Sequence, residues 1–156
     1  MAEHNETTTT LNTLISTLLD SIDGYQKSAG EVKNPEFARM FNDRARERQG
    51  AVARLQAAVA AAGGNPEDDG SVMGGLHRMF ESLREIVSTH DDTAIVAEIE
   101  RGEDYLKGKF KAALEHTDLT PEGRAAVDEA WQSVQAGHDE MSALKHQLEA
   151  NGARAD

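Results

Sequence analysis

The chain contains no cysteine, so disulfide bonds, thiolate catalysis and Cys-ligated zinc are excluded. Its 156 residues include only 3 prolines and 13 glycines, too few for a disordered or fibrous protein. Aromatic residues are also scarce, at 4% of the sequence, whereas alanine is common and favours helices. This length and composition predict one domain with a hydrophobic core of its own.

Basic residues are outnumbered. The sequence contains 16 Lys and Arg residues and 28 Asp and Glu residues, which gives a formal net charge of −12. Neither end carries a run of Lys and Arg. A surface of this charge repels DNA, RNA and anionic lipid, because phosphate contacts need clustered Lys and Arg. We therefore expect no nucleic-acid partner and no membrane partner.

Long hydrophobic runs are missing as well, which predicts that no helix crosses a membrane. The first ten residues are polar and include acids, so they lack the basic and apolar regions of a signal peptide. We therefore expect a cytoplasmic protein.

Apolar residues recur at the i, i+3, i+4, i+7 spacing of amphipathic helices, and no strand-like alternation is found. Five helices are predicted, the first over about Thr8 to Val32 and the last ending near Gly152. Two of them begin with a capping residue, a proline and an acid, at residues 34–36 and 120–122. The second helix is expected to end at Gly63-Gly64, where glycine can adopt a left-handed conformation.

The connections are short, so consecutive helices are expected to be antiparallel. The third helix, predicted between Ser71 and His90, would span ~27 Å at 1.5 Å per residue and could return the chain along the bundle. The predicted fold class is all-α, a ferritin-like up-down-down-up four-helix bundle with a fifth, shorter helix as the crossover. The domain is expected over residues 7–150, with flexible termini at 1–6 and 151–156.

Polar residues interrupt three of the predicted apolar stripes. Glu47, Glu103 and His138 each lie about a dozen residues, or ~18 Å, from the end that holds the first turn. Asp20 and Asp23 bracket the same level on the first helix. Carboxylates and histidine gathered at one level are how bundles build di-iron sites. The candidate ligands are therefore Glu47, Glu103, His138 and Asp23, with iron as the candidate metal.

The ferritin pattern is incomplete, because a di-iron bundle uses Glu-x-x-His on two helices. Gly50 stands where a histidine would follow Glu47, and Gln135 stands where a glutamate would precede His138. Arg44 or Arg48 on the same stripe could instead pair with the carboxylates. Two interpretations remain: a buried salt-bridge network that fixes helix register, or a degraded metal site.

Several short motifs resemble a bacterial ferritin-like family of uncharacterised function, and the resemblance extends from about Thr8 to Leu148. The motifs are Gly24-Tyr25, Leu76-His77-Arg78, the run from Glu100 to Asp104, and Val134 with His138-Asp139. The Glu-Arg-Gly-Glu-Asp run is the most specific of them. The resemblance implies a ferritin-like fold and an association with stress-related genes, and it implies no established reaction.

Three functions fit these observations. The first is a non-catalytic bundle that acts through protein association, as a homodimer, in a stress response. The second is an iron-binding or redox protein with a metal site in the bundle core. The third is a small-molecule binder that uses a gap beside Gly50 and Gly137. No nucleophile stands beside a base and no phosphate loop follows a strand, so we expect no catalytic residue.

Overall fold

The computed structural model describes residues 2–69, 91–116 and 118–155, and within them every regular element is a helix. The four helices are α1 (Ala2–Glu31), α2 (Pro35–Ala61), α3 (Asp92–His116) and α4 (Pro121–Ala155). This confirms the all-α prediction for the described part of the chain. The crossover helix predicted between Ser71 and His90 lies outside the described residues.

The helix ends form where the capping signals predicted them. The Asn34 side chain accepts a hydrogen bond from the Glu36 N–H at 2.9 Å, and Pro35 opens α2. At the other end of α2, Gly63 has φ 86°, and the Gly64 N–H donates to the Val59 carbonyl at 3.0 Å. This is a Schellman motif, in which a left-handed glycine allows the last carbonyls to be satisfied.

The helices pack as a closed ring around one core. α1 packs along α2 and α3 packs along α4, while α2 contacts α4 and α1 contacts α3. The helices α2 and α3 therefore lie on opposite sides of the core. Each fully buried Leu, Ile or Phe contributes roughly 1.5–3 kcal/mol through loss of apolar surface from water. The most deeply buried members include Leu11, Leu14, Ile15, Leu18, Phe41, Leu55, Ile95, Ile99 and Phe110.

Two sets of hydrogen bonds fix the bundle ends. The Asp92 carboxylate at the start of α3 accepts from the backbone N–H groups of Lys33 and Asn34, both at 2.9 Å. The Thr120 N–H before α4 donates to the Thr7 hydroxyl oxygen at 2.9 Å in a buried position. The start of α3 thus lies beside the α1–α2 turn, and the start of α4 lies beside the start of α1.

The loop after α2 lies along α1. The Asn12 side chain donates to the Asn65 carbonyl at 3.0 Å and accepts from the Glu67 N–H at 2.8 Å. One turn further on, the Ser16 hydroxyl donates to the Asp69 carbonyl at 3.1 Å. The chain therefore follows α1 from Asn12 towards Ser16.

Charged side chains interrupt all four helices. Within the part of the chain that the structure describes, no helix contains an apolar stretch long enough to cross a bilayer.

Candidate functional site: a buried ion pair in the bundle core

An ion pair between Arg48 of α2 and Glu103 of α3 crosses the centre of the bundle. The two side chains are 0% and 2% exposed. Both terminal nitrogens of the guanidinium bind the carboxylate: Nη1 donates to Oε1, and Nη2 donates to Oε2 at 2.5 Å. Such a bidentate, charge-assisted arrangement is the strongest that an arginine and a carboxylate make.

The helix α1 supplies two further partners of this pair. The Tyr25 hydroxyl donates to Glu103 Oε1 at 3.0 Å, and Arg48 Nη1 donates to the Ser21 hydroxyl oxygen at 2.6 Å. The Arg48 guanidinium carbon also lies 5.5 Å from the centre of the Tyr25 ring, within range of a cation–π contact. Three helices therefore contribute polar groups to one network.

The network shifts the proton affinities of its members. Burial raises the pKa of the Tyr25 phenol well above its ordinary value, and the Glu103 charge raises it further. Burial, the largest single influence, would by itself lower the pKa of Arg48, but the charge and hydrogen bond of Glu103, with smaller contributions from Tyr25 and Glu47, together outweigh it, and the pKa lies above its usual value. Arg48 therefore stays charged in the core, and Tyr25 stays a neutral hydrogen-bond donor.

The fourth helix approaches the pair through a glycine. A Cβ atom at Gly137 would overlap Arg48 Nη2 and would lie 3.1 Å from Glu103 Oε2 and 3.2 Å from Arg44 Cδ. The gap predicted beside Gly137 is thus filled by the guanidinium. Gly50 lies exposed on α2, and a Cβ at this position would have no neighbour within 4 Å among the described residues. The structure therefore does not form the small-molecule gap that the two glycines suggested.

The other candidate metal ligands do not join Glu103. Glu47 is 49% exposed and binds Arg44 Nη1 at 2.8 Å, while Asp23 is 54% exposed and binds Lys27 Nζ at 2.8 Å. His138 lies towards the surface between α3 and α4, with Nε2 2.6 Å from Asp104 Oδ1. Among the described residues, the groups of clustered metal-ligating side chains do not combine these four. The expectation that they meet at one depth is therefore wrong.

The helix rotation explains this difference, because each residue turns the side-chain direction by about 100°. On α2 the inward positions belong to Arg44 and Arg48, which moves Glu47 outward. On α4 Gly137 takes the inward position and moves His138 to the edge. On α1 the buried acid is Asp20, at 6% exposure, rather than Asp23. Iron binding itself stays a prediction for these residues.

The salt-bridge interpretation is confirmed for Glu103, whose partner is Arg48. Arg44 forms a second link, because it binds Glu47 on its own helix and Glu140 of α4 at 3.1 Å. Sequence reasoning missed Tyr25 as a hydrogen-bond donor, since its position in an apolar stripe indicated core packing alone. The phenolic hydroxyl was the available signal, because a buried tyrosine normally finds a polar partner.

A second polar cluster lies between α3 and α4. Ligand atoms of Glu100, Asp104 and His138 all lie within 4.8 Å of one another. His138 Nε2 is 3.9 Å from Glu100 Oε1, and Nδ1 is 3.3 Å from Asp139 Oδ1. The sequence analysis named His138 as a candidate ligand, but Glu100 and Asp104 only as the ends of a resemblance motif. The four-residue spacing of Glu100 and Asp104, which places them on one face of a helix, was the available signal.

The model of one protein family matches residues 6–116, and its description is domain of unknown function (DUF2383). The matched range contains almost all of α1 and the whole of α2 and α3, including Tyr25, Arg48 and Glu103 of the ion-pair network. Gly137 and His138 on α4 lie beyond it. No curated protein matches the chain.

Proposed function

This chain belongs to the DUF2383 family, and we propose that it is a non-catalytic ferritin-like bundle that acts by protein association. The setting that we propose is a stress response, as the motif resemblance implies, in the cytoplasm, as the polar first ten residues suggest. The observation that carries the proposal is the Arg48–Glu103 pair, in which a guanidinium takes both oxygens of the buried core carboxylate.

The pair argues against a metal centre at this level. A di-iron bundle needs inward carboxylates whose oxygens are free to bind the metal. Here Glu103 already has a cationic partner and a tyrosine donor. Releasing Glu103 to a metal would strand a buried guanidinium, and breaking a buried pair costs about 3–5 kcal/mol. The residues of the core therefore do not fit a metal, and the proposed function lies on the surface.

The end contacts support the ferritin-like arrangement. With α1 and α4 starting at one end and α2 and α3 at the other, the directions follow the up-down-down-up order. The loop from Asn65 to Asp69 already leads back along α1. The residues between 69 and 91 would, as one helix, span ~30 Å at 1.5 Å per residue. That length suits the proposed crossover.

The partner that we propose is a second copy of this chain. The charge of −12 disfavours nucleic acid and anionic lipid, and the ion pair fills the bundle centre. The same charge makes two copies repel each other, so the dimer should strengthen with added salt, and sedimentation velocity of the purified chain should give the dimer mass at micromolar concentration in moderate salt. A monomer throughout the accessible concentration range would contradict this part of the proposal.

Iron oxidation in the bundle core is the competing function, and the rate at which oxygen oxidises added Fe²⁺ distinguishes it from protein association. The protein is titrated anaerobically with Fe²⁺ and then mixed with oxygen. We expect no oxidation faster than buffer alone, and we expect that Glu103→Gln does not change Fe²⁺ binding. Glu129→Gln, at an exposed position outside the candidate ligands, is the matched control. Rapid oxidation that is lost in Glu103→Gln, with helicity intact by circular dichroism, would contradict the proposal.

A further inference from the structure

We propose that Glu100, Asp104 and His138 form a site for one divalent transition-metal cation at the outer edge of the α3–α4 pair. The site is separate from the Arg48–Glu103 pair and does not depend on the function proposed above. It uses a histidine nitrogen from α4 and two carboxylates from successive turns of α3, with ligand atoms within 4.8 Å of one another.

The distances are close to those of a bound cation. Nitrogen and oxygen ligands lie about 2.0–2.2 Å from zinc, which places tetrahedral ligand atoms about 3.3 Å from each other. His138 Nε2 is 2.6 Å from Asp104 Oδ1 and 3.9 Å from Glu100 Oε1, values on either side of that separation. Asp104 is 57% exposed and can move outward by the ~0.7 Å required.

The histidine is oriented for ligation by Nε2. Its Nδ1 lies 3.3 Å from Asp139 Oδ1, so that Nδ1–H can point at a carboxylate. The 2.6 Å contact between Nε2 and Asp104 Oδ1 is a hydrogen bond that Nε2–H donates, and a bound cation would take the place of that proton. A carboxylate on the second ring nitrogen is the usual arrangement for a metal-bound histidine. The His138 and Glu100 side chains are 15% and 13% exposed, so packing holds two of the three ligands in place.

The charge balance also favours a cation. Three carboxylates, those of Glu100, Asp104 and Asp139, surround one imidazole, and Lys145 Nζ lies 3.6 Å from Glu100 Oε2. The Lys145 side chain is flexible, so its ammonium group can move away from Glu100 when a metal ion binds. One nitrogen and two oxygen ligands, with water in the remaining positions, suit Zn²⁺, Co²⁺ or Fe²⁺ better than Mg²⁺ or Ca²⁺.

Cobalt titration tests the site, because Co²⁺ reports its ligands through visible absorption. The full-length chain at neutral pH should bind one equivalent of Co²⁺ with new visible bands, and Zn²⁺ should displace it. His138→Ala should weaken binding on the order of 10-fold or more and remove the bands, by analogy with the loss seen for outer-shell partners. Glu100→Gln should act in the same direction.

Two control variants make the result specific. His146→Ala removes an exposed imidazole from the same helix and should leave Co²⁺ binding unchanged. Glu103→Gln removes the core carboxylate and should also leave it unchanged, which separates this site from a metal in the core. The proposal would be overturned if the wild type showed no saturable Co²⁺ binding, or if His138→Ala bound Co²⁺ as tightly as the wild type. If His138→Ala loses helicity by circular dichroism, Glu100→Gln decides the outcome.

Discussion

Arg48 heads the fully buried side chains of the described core by volume, and its position defines the centre of the bundle. Its terminal nitrogens bind Glu103 and Ser21, but among the described residues its Nε finds no hydrogen-bond partner. A buried ion pair with an unsatisfied donor adds little net stability, because desolvation offsets the attraction. The role that we assign to the pair is to hold the register between α2 and α3.

Removing one partner of the pair should therefore cost far more than removing both. Arg48→Met strands the buried Glu103 charge and should lower the unfolding free energy by about 3–5 kcal/mol. The double variant Arg48→Met/Glu103→Leu should recover most of this loss, since apolar replacement of a buried pair is often neutral or stabilising. Urea unfolding measures both values. A single variant within about 1 kcal/mol of the wild type would contradict the account.

Gly137 should resist even the smallest side chain. Gly137→Ala gains up to about 1 kcal/mol of helix propensity, but its methyl group displaces the ion pair, and overpacking costs about 1–3 kcal/mol. The variant should be less stable than the wild type. Gly50→Ala and Gly108→Ala, where a Cβ meets nothing within 4 Å in the described part of the chain, should each be more stable. Equal gains at all three positions in urea unfolding would refute the close approach.

Tyr25 should keep its proton beyond the usual range of a phenol. Because its folded-state pKa is raised, the neutral phenol contributes stability that is fully present below pH ~10 and is lost as pH rises through the folded-state pKa. The alkaline absorbance change of the wild type minus that of Tyr25→Phe isolates this residue. It should appear well above pH ~10 or together with unfolding. A change near pH 10 with helicity intact would contradict the buried network.

The helices follow directly from the sequence, because apolar periodicity and capping residues act locally. The α1–α2 turn lies at Asn34-Pro35, and α2 ends at Ala61, where the left-handed Gly63 closes it as the Gly63-Gly64 signal predicted. The helix α1 begins at Ala2, six residues before the predicted start at Thr8, because a polar segment carries no apolar stripe that would mark it as helical. Local signals thus predicted that each of these helices exists more accurately than they predicted the residue at which α1 begins.

The rotation of each helix could not be predicted in the same way. On α2 the stripe between Phe41 and Ala51 contains Arg44, Glu47 and Arg48, and periodicity alone admits all three as inward. The neighbouring helix α4 determines which of the three side chains points inward, because Gly137 leaves room for a guanidinium at that level. The partner choice of Glu103 is therefore a property of the packed bundle, and the sequence pattern identified only the candidates.

The start of α4 offers a test at the scale of one element. The Thr120 hydroxyl oxygen accepts from the Gly123 N–H at 3.1 Å, and its backbone N–H contacts Thr7. Thr120→Ala should lower the unfolding free energy by about 0.5–2 kcal/mol through the lost cap. Thr13→Ala, at an exposed position inside α1, is the control and should be neutral or slightly stabilising. Equal effects of the two substitutions would show that the cap contributes nothing.

At the scale of the whole molecule, the protein is an acidic bundle whose central carboxylate is neutralised by an arginine of the same chain, Arg48. Four helices meet at this point: Ser21 and Tyr25 come from α1, Arg48 from α2, Glu103 from α3 and Gly137 from α4. The same position in a di-iron bundle would hold the metal. We infer that the Arg48 guanidinium takes the place of that metal here.

Anomalous diffraction from crystals grown with excess Mn²⁺ or Fe²⁺ tests this claim most directly. The account predicts that Glu103 keeps both oxygens on the Arg48 guanidinium, with no anomalous peak within bonding distance of its carboxylate. A peak at Glu100, Asp104 and His138 would be compatible with this result, since that site is separate. A metal ion bonded to Glu103, with Arg48 displaced from it, would contradict the account.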